Sequence, residues 1–407
     1  MAQSLGTATN RDAWVYNFSK TTVEVNMRRM IDFYNGQQKG YAEASLNNQK
    51  LSVEDFIDND PQKISWTRGL RNDVRRQKTF TANLSKIRQA SYRPYTQQSF
   101  YFDEPFIESP GLNQQFFPTP TTENRVICVS APGGHKEMSV LMTNCIPDLH
   151  FNGDTQCFPL YYYEERAKAA PSLFDAAQEN EHIRRDEVSD FILAQARSRY
   201  GERVTKEDIF YYVYGFLHNP DYRSRFSSDL KKMLPRLPLV EVPADFWKFS
   251  KAGRALADLH LGYDNFKTAP SAEAIGVTVR GASPLPVGEG SGVGFQVEKM
   301  RFPSKDDKSK ILFNSQIVVE NIPAEAYEYQ VNGKSAIEWI KERYAVSTHK
   351  ESGIRNDPND WVSEVGNPRY ILDLLLSVIR LSVETVEIVR GLPGMGFDEK
   401  EGVVRPI

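Results

Sequence analysis

Thr205-Lys-Glu-Asp-Ile-Phe-Tyr-Tyr-Val-Tyr-Gly-Phe-Leu217 is the stretch that decides the fold class. Thr205 with Asp208 three residues on reads as a helix start, and Ile209, Tyr212, Val213, Phe216 and Leu217 form one apolar face at helical spacing. Asn219-Pro220 opens another helix and Asp245–Leu261 a third, so residues 180–262 read as helical. Strand-like segments flank this block. On its N-terminal side Tyr92–Asp103 is aromatic and β-prone, and short strands are expected at 125–130, 138–143 and 158–163. On its C-terminal side 275–280, 294–302 and 311–320 look extended, and helices at 334–344 and 370–390 follow. The pattern predicts an α+β fold of mixed sheets with a central helical segment.

At the N-terminus, Val23, Met27, Met30, Ile31 and Tyr34 recur at helical spacing, with Asn35-Gly36 as the expected stop and 41–60 as a polar, acidic linker. Residues 63–80 read as a second helix. Trp66, Leu70 and Val74 give it a buried stripe, and Arg68, Arg71, Arg75 and Lys78 a separate basic one. The chain of 407 residues is long enough for two or three domains. The expected divisions are 1–90, a helical connector carrying the basic helix; 91–265, a β-then-helical subdomain; and 266–407, an α+β subdomain packed on it. Pro284–Gly294 is a Gly/Pro-rich loop.

With 40 % hydrophobic and 25 % charged residues, the composition fits a globular chain and not a disordered one. No apolar run is long enough to span a bilayer, and Met1–Gly6 lacks the blocks of a signal peptide. Cys128, Cys145 and Cys157 form no CxxC pair, which suits a reducing cytoplasm. The net charge of −3 hides an asymmetry: between Pro61 and Arg93 nine Lys/Arg meet one acid, Asp73, so that window carries +8. A basic stretch on an otherwise acidic chain points to a polyanion contact; the plainer alternative is a solvated or salt-bridged face.

Catalytic motifs are missing. The amino-methyltransferase loop (Asn/Asp)-Pro-Pro-(Tyr/Phe) has only the imperfect counterpart Asn367-Pro-Arg-Tyr370. Gly333-Lys334-Ser335 is similar to the end of a phosphate-binding loop, but Glu328 stands where its first glycine belongs. Cys128, His135, Cys145, His150 and Cys157 lack paired zinc-ligand spacing. Six histidines give no readable triad. No autonomous catalytic centre is expected, and no metal or cofactor in this chain.

Several stretches together resemble one family. They include Thr9-Asn-Arg-Asp-Ala-Trp-Val-Tyr-Asn-Phe-Ser19, Met27-Arg-Arg-Met-Ile-Asp-Phe-Tyr-Asn35, Tyr92-Arg-Pro-Tyr95, Asp148-Leu-His-Phe151, Gln156–Tyr161, Asp208–Arg225, Leu234–Pro238, Phe246–Tyr263, Gly333–Ile340 and Ser352–Trp361. In this order they resemble the C-terminal specificity region of the Type ISP restriction–modification enzymes. That family joins a nuclease, a helicase-like motor and an adenine-N6 methyltransferase to a target-recognition region. The resemblance therefore implies a DNA target-recognition module, cytoplasmic and partnered by double-stranded DNA and by those catalytic domains. S-adenosylmethionine, ATP and Mg would belong to the other domains, and the chain is expected to be a fragment or a split subunit. The runner-up expectation is a protein–protein docking module without direct DNA readout.

For such a module, phosphate contacts fix register and base-edge contacts specify sequence. Arg68, Arg71, Arg75, Arg76 and Lys78 are the expected backbone-positioning residues. Arg93 and Tyr95 begin the recognition region, though a packed turn is the plainer reading of Tyr92–Tyr95. Lys299 and Arg301 share one face of an expected strand, beside Lys305. Asn144, Asn152 and Gln156 have the amide chemistry to read adenine, whereas His150, Arg254 and His260 are expected to be structural.

Overall fold

The computed structural model describes residues 3–133, 136–166, 182–266, 272–281 and 292–395. It is an α+β protein with two four-stranded sheets. In the first, Ser4–Leu5, Gln156–Pro159, Val126–Val129 and Val140–Thr143 lie side by side, all antiparallel. In the second the order is Tyr16–Asn17, Thr96–Tyr101, Ile87–Arg93 and Ile146–Pro147, the last pair parallel. A hairpin of Tyr161–Glu165 and His182–Asp186 stands apart. The C-terminal part adds a three-stranded sheet of Thr278–Arg280, Val318–Glu320 and Ile311–Leu312.

The central helices follow the spacing in the sequence. Thr205 and Asp208 form a reciprocal capping box, and the helix Lys206–Leu217 buries eight of its twelve residues. It packs on Pro243–Leu261 with almost no gap. A Cβ on Gly253 would lie 1.9 Å from the Tyr211 carbonyl oxygen, and one on Gly215 would lie 2.2 Å from that of Phe249. Only glycine permits this crossing. The helix Tyr370–Arg390 then packs on both Pro243–Leu261 and Ala336–Arg343.

Four local expectations change. Gly36 ends no helix: Lys20–Asn47 runs through it, and the Asn35 amide instead clamps the backbone of Phe80, donating to its carbonyl at 2.7 Å and accepting its N–H at 3.0 Å. The linker at 41–60 thus begins as helix and also contains the capped turn Val53–Phe56. The expected strand at 158–163 is broken at Leu160, so one apolar run serves both the first sheet and the hairpin. Residues 294–302 form no regular strand; Arg301 makes only an isolated bridge to Leu312. Most of the Pro284–Gly294 loop, residues 284–291, lies outside the described residues.

The apolar interior falls into two clusters. One joins Trp14–Phe117 to Tyr263–Val386, with Val126, Cys128, Leu141, Ile146, Phe151 and Cys157 added. The other gathers side chains between Ile127 and Ala257. The strands on either side of Pro94 thus feed the cluster shared by the two chain ends. At the junction Tyr95 Oη meets Tyr329 Oη at 2.7 Å, and His260 stacks on Tyr329 with ring centroids 5.2 Å apart. Among the described residues no helix is long and apolar enough to cross a membrane.

The crossing glycines and Gly36 form an internal comparison. Gly253→Ala is expected to lower unfolding stability by more than about 2 kcal/mol through backbone collision. Gly36→Ala, with no atom within 4 Å of its new Cβ, should raise it by about 0.5–1 kcal/mol. Urea denaturation of the two variants checks both signs. A pH series tests the junction. Burial pushes the His218 imidazole down to about 4 and lowers that of His260 as well, so the unfolded chain takes up protons first. Stability is full above about pH 6.5 and falls as pH drops towards 4, and His218→Gln should flatten that fall in urea midpoints.

Candidate nucleic-acid interface

The basic helix is shorter than its sequence period suggests. Thr67 caps it, its hydroxyl accepting the Leu70 N–H, and the helix spans only Arg68–Arg75. Gln77 takes φ +55° and stops it. Leu70 and Val74 are fully buried and set the helix beside Lys20–Asn47. Arg11 donates through Nη2 to Thr67 Oγ1 at 2.8 Å, which ties the N-terminal segment to the cap.

The cations around this helix fall into two groups. Arg68 and Arg76 are exposed and make no side-chain hydrogen bond or ion pair among the described residues. Arg71, Arg75 and Lys78 are engaged. Arg75 pairs with Glu54 and also bonds Asn72 Oδ1 at 2.7 Å; Arg71 reaches Asn59 Oδ1 at 3.3 Å; Lys78 pairs with Asp73 at 2.9 Å. Lys63, in the turn before the helix, pairs with Asp58 at 2.7 Å and Asp60 at 3.6 Å. Acids from 54–60 therefore return to the basic window and pair with two of its cations, Arg75 and Lys63.

Arg93 and Tyr95 do not join this face. Arg93 lies partly buried over the Tyr92 ring, 3.9 Å from its centroid, with Nη1 2.6 Å from Asp148 Oδ1 and Nη2 3.7 Å from Asp12 Oδ2. Tyr95 sits at φ +55° in the tight turn after Arg93, 2 % exposed. Tyr95 is packed as the plainer reading of Tyr92–Tyr95 expects, and Arg93 keeps a small exposed surface beside its ion pairs. Lys299 and Arg301 are exposed on either side of buried Met300 and carry no ion pair among the described residues. They sit on the C-terminal part, and among the described residues no hydrogen bond or ion pair joins them to the basic helix.

Among the amides considered for base reading, Asn152 is fully buried and donates to the Cys128 and Ser139 carbonyls at 2.9 Å, so it is structural. Gln156 bonds Gln3, and Asn144 is exposed. Arg254 pairs with Asp208 at 2.9 Å, and His260 is held between Tyr214 and Thr385. His150 is exposed beside Asp154 at 3.3 Å. Among the described residues no cluster of metal-ligating side chains exists; His135 lies outside them.

Sequence reasoning missed a cleft of about 680 Å³. Its walls are Asn10–Trp14, Tyr16, Tyr92 and Asp148 on one side and the turn His349–Ser352 on the other. Burial pushes the Asp148 carboxyl up to about 7, with Arg93 opposing the shift. The only sequence signal was the Asn-Arg-Asp-Ala-Trp run itself, whose partners lie far along the chain.

A family model described as the Type ISP C-terminal specificity domain matches residues 1–374. The fold is similar to that of a nuclease-deletion mutant of the Type ISP restriction–modification enzyme LlaGI in complex with a DNA substrate mimic. The TM-score is 0.79 and the identity 35 %, over 97 % of this chain and 33 % of that one. It is also similar to the ATP-dependent Type ISP enzyme LlaBIII bound to DNA, with TM-score 0.80 and 32 % identity over 96 % of this chain and 23 % of that one. A DrdV–DNA complex gives 0.76 and 27 %, over 96 % and 36 %. The chain thus spans about a quarter to a third of the length of these enzymes. No curated protein matches it.

The burial of Arg93 separates structural from surface cations. Arg93→Ala leaves Asp148 without its ion-pair partner and should cost about 3–5 kcal/mol of stability. Arg68→Ala, at a fully solvated position, should change it by less than about 0.5 kcal/mol. Thermal melts of the two variants check the contrast.

Proposed function

The chain belongs to the Type ISP C-terminal specificity domain family, and on that premise we propose that it is the DNA target-recognition module of such an enzyme. The carrying observation is that nearly its whole length shares the fold of three relatives described in complex with DNA or a DNA mimic. In this reading the module sets the site at which an attached or partnered methyltransferase flips and methylates adenine, and restriction follows on unmodified DNA. S-adenosylmethionine, ATP and Mg act in those other parts of the enzyme, and this chain contributes binding without a catalytic step of its own.

The residues divide by what they can do. Arg68 and Arg76 are solvated and unpaired among the described residues, so each is ready to meet a phosphate. Arg71, Arg75 and Lys78 reach a phosphate by giving up a partner within the chain. Lys299 and Arg301 supply a second cationic surface on the C-terminal part. Arg93 and Tyr95 act through the fold, by fixing the turn between Ile87–Arg93 and Thr96–Tyr101.

The docking alternative draws support from the offset charge of the basic window. The two readings part in one experiment. Duplex DNA of random sequence is titrated by fluorescence anisotropy across about 50 to 200 mM salt, with Arg68→Ala/Arg76→Ala beside the native chain. The DNA reading expects affinity to fall steeply with salt. It expects the double variant to bind more weakly, with a slope shallower by about 1 for each phosphate left without its arginine. A folded native chain that binds no duplex at the lowest salt would instead favour docking on the methyltransferase part.

A further inference from the structure

Side chains of one short segment occupy part of the charged face of the basic helix. Segment 53–60 (Val-Glu-Asp-Phe-Ile-Asp-Asn-Asp) puts Glu54 on Arg75, Asn59 on Arg71 and Asp58 on Lys63. These groups come from one short stretch, and they meet cations on and just before one helix. Asp55 is held elsewhere, in the cap hydrogen bond from Ser52 at 2.6 Å.

The backbone of this segment is fixed. Val53 and Ile57 are buried, the Trp66 indole N–H donates to the Asp58 carbonyl at 2.9 Å, and the Asp58 N–H donates to Gln37 Oε1 at 2.7 Å. The carboxylates themselves are solvated: the side chains of Glu54 and Arg75 are 50 % and 43 % exposed. An incoming phosphate therefore needs only a rotamer change at Glu54, with no movement of the chain, and solvated pairs of this kind are held weakly. Arg75 holds the Glu54 carboxyl below its usual range, so the counter-charge is present throughout the neutral range.

We propose that segment 54–60 is a built-in counter-ion set for the basic helix, so that duplex DNA engages Arg75 by displacing Glu54 and Arg71 by displacing Asn59. This rests on the DNA-binding reading and adds a regulation to that site. Arg68 and Arg76 supply the standing attraction. The pairs at Arg75 and Arg71 lower the gain from meeting arbitrary duplex, and the full set of phosphate bonds forms only on DNA held closely enough to replace the carboxylate. The device restrains non-specific binding, the term that phosphate contacts otherwise dominate.

The test is Glu54→Gln, measured by anisotropy on random-sequence duplex across the same salt range, with folding confirmed by circular dichroism. Glu24→Gln, which removes an equal charge from an exposed pair with Arg28 on the long helix, is the control. The expected result is a gain in affinity of about threefold to tenfold for Glu54→Gln at low salt, shrinking as salt rises, and less than about twofold for Glu24→Gln. Adding Arg75→Ala should abolish the gain, because the counter-ion acts through that arginine. Equal gains in the two Gln variants would overturn the proposal in favour of a general charge effect. No gain for Glu54→Gln, with native binding intact, would overturn it while leaving the DNA-binding reading standing. Absence of binding by the native chain would take both down together.

Discussion

Buried polar groups at the junction of the two apolar clusters govern how the rest of the molecule is put together. Tyr95, Tyr214, His260, Tyr329 and Thr385 come from distant stretches, and they bond one another as Tyr95 to Tyr329 and as Tyr214 to His260 to Thr385. A hydroxyl or imidazole left unpaired in such a place costs more than the bond it would have made. The two clusters can therefore meet in one relative placement and few others. The basic helix, through Leu70 and Val74, and the Lys299–Arg301 patch, through Met300, both stand on the larger cluster.

What could be read from the sequence was what is local. Capping boxes, apolar spacing and a proline after asparagine located the helices Lys206–Leu217, Pro220–Arg225 and Pro243–Leu261, because a helix is held by residues three and four apart. Val126–Val129 and Val140–Thr143 were legible for the same reason. Pairings between distant stretches were not. The two-residue strands Ser4–Leu5 and Tyr16–Asn17 have no periodicity to detect, and they exist because residues near 156 and 100 offer them an edge. Asn35-Gly36 looked like a stop because its use, clamping Phe80, lies 45 residues away.

The same boundary runs through the candidate site. The cationic stripe was visible because it is a helical period. Its neutralisation was not, because the acids stand in what reads as a linker, 21 residues before the arginine they meet. Arg93 shows the same limit. Its ion-pair partner Asp148 lies 55 residues on, where its near neighbours give no sign of it. A charged residue's role depends on the sign of what folds against it, and a single sequence carries that only for near neighbours.

The larger apolar cluster is built from both ends of the described chain, with the smaller one lying between them in sequence. This has a consequence for synthesis on the ribosome. Phe18 leaves the ribosome more than 300 residues ahead of Tyr344, the ring it packs against. At ordinary elongation rates that is a delay of roughly fifteen to seventy seconds, during which that side chain lacks this partner. The glycine-crossed helix pair, whose contacts are close in sequence, can form within that interval, before the two ends of the larger cluster meet.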